Sequence, residues 1–224
     1  MLRTARVAPG GIVFHVLNRA NAQARVFERS PDYAAFERVM CDTVRAVPMR
    51  ILGYVIMPSH WHLVLWPERD GELAAFMQRL TTTHVRRWHL HRQTVGLGHL
   101  YQGTYKSFPI QEDEHLLVVM RYVERNPVRA KLVERAEDWR WSSFWRWLHP
   151  EVVDGMPPLC PWPVERPPNW PDYVNTCEPQ AQVDTLHGSI AKGRPFGGGA
   201  WQWQTTKALG LESTFRPRGR PRGT

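Results

Sequence analysis

The chain predicts an α+β fold of the ferredoxin-like kind, a two-layer sandwich in which an antiparallel sheet carries its helices on one face. Three observations lead there. Stretches of strand and helix periodicity follow one another in the order strand, helix, strand, strand, helix, strand, helix. Only Pro58-Ser59 separates the second and third strands, which calls for an antiparallel hairpin. The length of 224 residues suffices for one domain with a sizeable core and a tail.

Each element has its own signal. Residues 12–17 read as the first strand, with Phe14 and Val16 on one face and Val13, His15 and Leu17 on the other. Residues 18–21 follow as a loop. A helix starts near Ser30-Pro31-Asp32, where Ser30 can cap and Pro31 fits the first turn. Phe36, Val39, Met40 and Val44 form its apolar stripe, and Pro48 closes the element. Residues 50–57 and 60–66 are the hairpin strands. A helix covers about 71–92, with Leu73, Phe76, Met77, Leu80 and His84 on one side. Residues 104–110 give a fourth strand, which Pro109 marks as an edge or an end. A helix at 112–125 buries Leu116, Leu117, Val119, Met120 and Val123. Pro127 ends or kinks it and can open a short helix at 127–133.

Residues 8–148 therefore read as one folded domain. Residues 149–224 read as a Pro-rich, basic extension that drapes over the surface, with a short helix near 201–209. The net charge of +8 suits an anionic partner such as nucleic acid. Eleven Trp can serve as base-stacking platforms or as core. Three widely spaced cysteines without a C-x-x-C pair argue against a disulfide scaffold and fit a reducing cytoplasm. No stretch has transmembrane length, and the N-terminus lacks the apolar segment of a secretory signal.

Two constellations carry chemistry. In His60-Trp61-His62 a period of two puts both imidazoles on one strand face and Trp61 on the other. Such a pair can share a divalent cation, or can be two surface histidines on an edge strand. Tyr122 and Asn126 are spaced i, i+4, one turn apart on a helix. A phenol can attack an activated phosphate and form a covalent phosphotyrosine. Among apolar neighbours it is equally a core tyrosine.

Taken together these motifs resemble the IS200-like single-tyrosine transposases, and within them the REP-associated group. The metal motif of that superfamily is His, hydrophobic, His, matched by His60-Trp61-His62 within Gly53-Tyr54-Val55-Ile56-Met57-Pro58-Ser59 and the residues that follow. Ser59 stands where Asn is commoner. The catalytic helix is matched by Arg121-Tyr122-Val123-Glu124-Arg125-Asn126-Pro127. Further likeness lies in Phe14-His15-Val16, Asn18-Arg19, Tyr101-Gln102-Gly103 and Trp141-Ser142-Ser143. The resemblance implies Tyr122 as nucleophile, His60 and His62 as ligands for Mg²⁺ or Mn²⁺, and Asn126 as third ligand. It implies cleavage and rejoining of single-stranded DNA at palindromic repeat hairpins through a 5′-phosphotyrosine. The implied setting is the cytoplasm, at the nucleoid. The REP-associated group points to a monomer, with a dimer open.

Arg86, Arg87, Lys106, Arg121, Arg125 and Arg129 are candidate phosphate contacts, and some of them can instead face solvent. Arg218 and Arg220, in Pro217-Arg218-Gly219-Arg220-Pro221, look like the core of a minor-groove arm or a nonspecific basic tail. Two other functions stay open at this stage: an inactive DNA- or RNA-binding protein on the same scaffold, and a metal-dependent RNA-processing enzyme.

Overall fold

The computed structural model describes residues 8–151 and 155–216, so Arg218 and Arg220 lie outside the described residues. Its framework is β1 (Val13–Arg19), α1 (Ser30–Ala46), β2 (Arg50–Met57), β3 (His60–Trp66), α2 (Glu72–Arg92), β4 (Lys106–Ile110) and α3 (Glu114–Glu124). The sheet order is β2-β3-β1-β4, every pairing antiparallel. This is the ferredoxin-like arrangement predicted from the element order.

Local chemistry explains the boundaries. β1 runs two residues past its predicted end, because Asn18 and Arg19 still pair with Trp61 and His60. Ser30 is the first helical residue rather than the cap. The Asp32 carboxylate closes the end instead, accepting from the backbone N–H groups of Glu28 and Arg29. Pro109 lies on the edge strand, as its missing N–H requires. A Cβ at Gly53 would fall 2.1 Å from Met120 Cε, so glycine lets α3 approach β2.

The expectation of helices on one face is corrected by the second face. α1 and α2 cover the first, around Phe14, Val16, Tyr54, Trp61 and Leu63. The other face is also apolar: Val13, Val55, Val64, Phe108 and Ile110 point into a second core under α3. An apolar face left in water would lose the burial energy that drives folding, so a further layer must cover it. That layer is α3 together with much of the extension.

After α3 come α4 (Asn126–Arg129), α5 (Ser143–Leu148), α6 (Trp170–Asn175), α7 (Gln180–Lys192) and α8 (Gly199–Ala208). The proline-dense stretch is irregular as far as residue 169, and then α6 forms within it. Part of it enters the core. Trp170 is fully buried, and Trp162 Nε1 donates to the Leu52 carbonyl at 2.8 Å. α7 is a helix the sequence reading missed. Both sheet edges are partly covered: Val55 bridges to Ser142 beside β2, and Ile110 to Phe196 beside β4. Among the described residues no helix is long and apolar enough to cross a membrane.

Candidate active site

Alternation along β1 and β3 decides which side chains meet. Leu17 pairs with His62 and Arg19 with His60, on the face opposite Trp61. The two imidazoles of β3 lie with ring centroids 5.1 Å apart. α3 crosses the same face and brings the Tyr122 ring to 5.8 Å from that of His62, edge to face. Tyr122 is 7 % exposed. These groups line a cavity of about 330 Å³ together with Arg19, Asn126 and Arg129.

The Tyr122–Asn126 spacing survives Pro127. Arg125, at the junction, keeps right-handed helical angles of φ −82° and ψ −8°. Pro127 then occupies the first turn of α4, where no N–H is needed. Asn126 Nδ2 donates to the Tyr122 carbonyl at 2.9 Å, so the carboxamide oxygen is the end that can turn to a cation.

His60 and His62 fit a cation by their donor state. Burial lowers the His60 pKa to about 4, with help from Arg19. Burial lowers that of His62 well below its ordinary value, helped by His15, His60, Arg129 and Arg19. Both imidazoles are therefore neutral near pH 7 and have lone pairs to give. His60 Nδ1 lies 3.2 Å from Ser59 Oγ, and His62 Nδ1 lies 2.8 Å from His15 Nε2. Each ring thus keeps Nε2 for a metal, with a neighbour at Nδ1 to fix its orientation. Among the described residues no carboxylate lines the cavity. Two imidazoles and one amide oxygen suit Mn²⁺ or Mg²⁺ only when oxygen ligands from elsewhere complete the shell.

Three residues of the site had no role in the reading of the sequence. Arg19 is placed by its register with His60. His15 backs His62 from the neighbouring strand, a contact strand alternation could have suggested. His187 stands on α7 with its ring 5.7 Å from that of Tyr122. No local motif announces it.

The candidate phosphate contacts divide. Lys106 is exposed beside a groove of about 340 Å³ that shares Leu17 and Arg19 with the site. Arg86 is exposed on a further cavity of about 700 Å³. Arg87 instead pairs with Asp42 of α1 at 3.1 Å. The other three turn toward the extension. Arg121 is buried and donates to the Thr176 carbonyl at 2.6 Å. Arg125 and Arg129 both pair with Glu178, and the Arg129 guanidinium lies 4.4 Å from the Tyr122 ring centroid. Arg121, Arg125 and Arg129 thus each give a donor to the extension, and Arg129 also lines the cavity of Tyr122.

Behind Tyr122, Glu124 is fully buried on α3. It accepts from Ser143 Oγ at 2.9 Å and from Trp170 Nε1 at 2.7 Å. Burial pushes its carboxyl up to about 7, against the pull of Arg166 and these two donors. The unfolded chain releases this proton near 4.5 and the folded chain near 7. Stability from this group is therefore full below pH 4.5 and is lost as pH rises through 7, by about 3 kcal/mol. In Glu124→Gln the amide oxygen can accept from Trp170 and the amide nitrogen can donate to Ser143. We expect the variant to match the parent at pH 5 and to melt about 5–10 °C higher at pH 8. Scanning calorimetry at the two pH values checks this, and an unchanged or lower Tm at pH 8 contradicts it.

A family model described as transposase, IS200 like, matches residues 10–126. A Haemophilus influenzae protein provisionally named a REP-associated tyrosine transposase is 28% identical over 163 residues, covering 67% of this chain and 91% of that protein. An Escherichia coli K12 protein named REP-associated tyrosine transposase is 23% identical over 154 residues, covering 67% of this chain and 84% of that protein. A solved structure described as a REP-associated tyrosine transposase bound to a REP hairpin superposes with a TM-score of 0.50 at 19% identity. It covers 70% of this chain and 90% of its own, and it supports the fold.

Proposed function

The chain belongs to the IS200-like transposase family of DNA-cleaving enzymes, and on that premise we propose that it cuts and rejoins single-stranded DNA at repeat hairpins through Tyr122. One observation carries the reading. Tyr122 comes from α3 and His60 and His62 from β3, yet all three side chains line one cavity with Asn126. A structural tyrosine needs no pair of neutral, oriented imidazoles beside it.

The Tyr122 oxygen attacks the phosphorus of the target strand. The bond from phosphorus to the 3′ oxygen breaks, leaving a 5′-phosphotyrosine and a free 3′-OH. His60, His62 and Asn126 would hold Mg²⁺ or Mn²⁺, which supplies Lewis-acid stabilisation of charge on the phosphoryl oxygens. Because the cavity lining offers no carboxylate among the described residues, phosphate oxygens of the DNA would serve as the remaining ligands. Rejoining is the reverse attack by a 3′-OH on the phosphotyrosine.

The strand has a surface to follow. The grooves past the site share lining residues with one another, through Arg19 to Lys106 and on to Arg86. Their charges favour phosphate without reading sequence. The REP hairpin bound in the solved relative makes imperfect palindromes the substrate to try. The terminal Arg218 and Arg220 are proposed to add nonspecific affinity.

The test is incubation of the full chain with labelled single-stranded DNA carrying such a hairpin and its flanks, in Mg²⁺, Mn²⁺ or EDTA. A covalent adduct on a denaturing gel is expected with metal and not with EDTA. Tight binding with no cleavage under any metal overturns the catalytic reading and leaves a DNA-binding protein.

A further inference from the structure

Resting on the function proposed above, Tyr122 must lose a proton when its oxygen bonds phosphorus. Among the described residues, three side chains have rings or charge against the Tyr122 ring: His62, Arg129 and His187. Arg129 is a permanent cation and cannot accept a proton. His62 lies with Nδ1 against His15, and its Nε2 is the nitrogen assigned to the cation. His187 has no such duty. It stands on α7, exposed and lining the same cavity, with its ring 5.7 Å from that of Tyr122 at 84°. The titratable and charged groups lining the same cavity are Arg19, His60, His62, Tyr122 and Arg129, and Glu178 reaches it through Arg129.

We propose that His187 is a further catalytic residue, the base that takes the phenol proton of Tyr122 during DNA cleavage. The Tyr122 oxygen–phosphorus bond forms while the bond from phosphorus to the 3′ oxygen breaks. The phenol proton passes to a ring nitrogen of His187, and solvent water protonates the leaving 3′ oxygen. The hydroxide so formed takes the proton from His187, which returns the ring to its starting state. In rejoining, the attacking 3′-OH gives its proton through solvent water to His187, and the imidazolium so formed passes it to the departing phenolate. α7 lies beyond residues 10–126, the part matched by the family model, so this base belongs to the extension.

The experiment compares single-turnover adduct formation by the full chain and by His187→Ala on a hairpin-bearing single strand with Mn²⁺, from pH 6 to 9. The parent is expected to show a pH dependence that the variant lacks. At pH 7 the variant is expected to be about 100-fold slower. Added imidazole should restore much of the rate, which a purely structural role would not allow. Its Tm should match the parent, because the side chain is exposed. A variant with the parent's rate and pH profile overturns the proposal and leaves the Tyr122 function standing. A faster variant does the same and marks α7 as an obstruction. A slower variant with an unchanged profile and no response to imidazole reduces His187 to packing. Absence of any adduct from the parent chain removes the proposed function, and this inference with it.

Discussion

Tyr122→Phe is expected to bind hairpin DNA with nearly the parent's affinity and to form no covalent adduct at all. The substitution removes one oxygen and keeps the ring that packs between His62, His187 and Arg129. Tyr122 sits within the second core, so its ring supports α3 whether or not it carries a hydroxyl. The loss is therefore confined to the bond-forming atom, since among the described residues lining the cavity no other side chain carries a hydroxyl. The measurement pairs a denaturing gel for adduct with fluorescence anisotropy for binding. An adduct that persists in the Phe variant places the nucleophile elsewhere. Loss of binding together with adduct means the ring itself was disturbed.

Trp170→Ala should destabilise the chain by about 3–5 kcal/mol, the range for deleting a buried aromatic and leaving a cavity. That is a large share of the roughly 5–15 kcal/mol by which domains are stable. Trp170 is 0 % exposed and shares its core with Phe108, Val123 and Phe144. Its ring meets that of Trp162 at 5.0 Å, and its N–H satisfies Glu124. Truncation thus removes contact area and also strips a donor from a buried carboxyl on the helix that carries Tyr122. Urea denaturation gives the number. A loss under about 1 kcal/mol would show that the extension only lies on the surface, as the proline-rich composition suggested.

The legible parts of the fold were those written in local pattern. Strands 50–57 and 60–66 were read to the residue, because alternation and the Pro58-Ser59 break are properties of neighbours. The buried side of α2 was read down to His84 for the same reason. The second apolar face was harder. Val13, Val55 and Val64 alternate correctly, but alternation does not say whether a face meets water or another layer. Fully buried strands read as near-continuous apolar runs, and β2 is of that kind.

The site divides along the same line. By itself the sequence determined that His60 and His62 share a face opposite Trp61, and that Tyr122 and Asn126 lie one turn apart, since both follow from the repeat of a strand or a helix. Only the tertiary structure decided that these pairs meet, that His15 backs His62, and that His187 closes the cavity. It also decided that Arg125 and Arg129 are held by Glu178, a partner 49 residues from Arg129 along the chain. The physical reason is that charge and aromatic contacts between distant segments depend on how layers pack, and packing is a sum over the whole core that no short window of sequence contains.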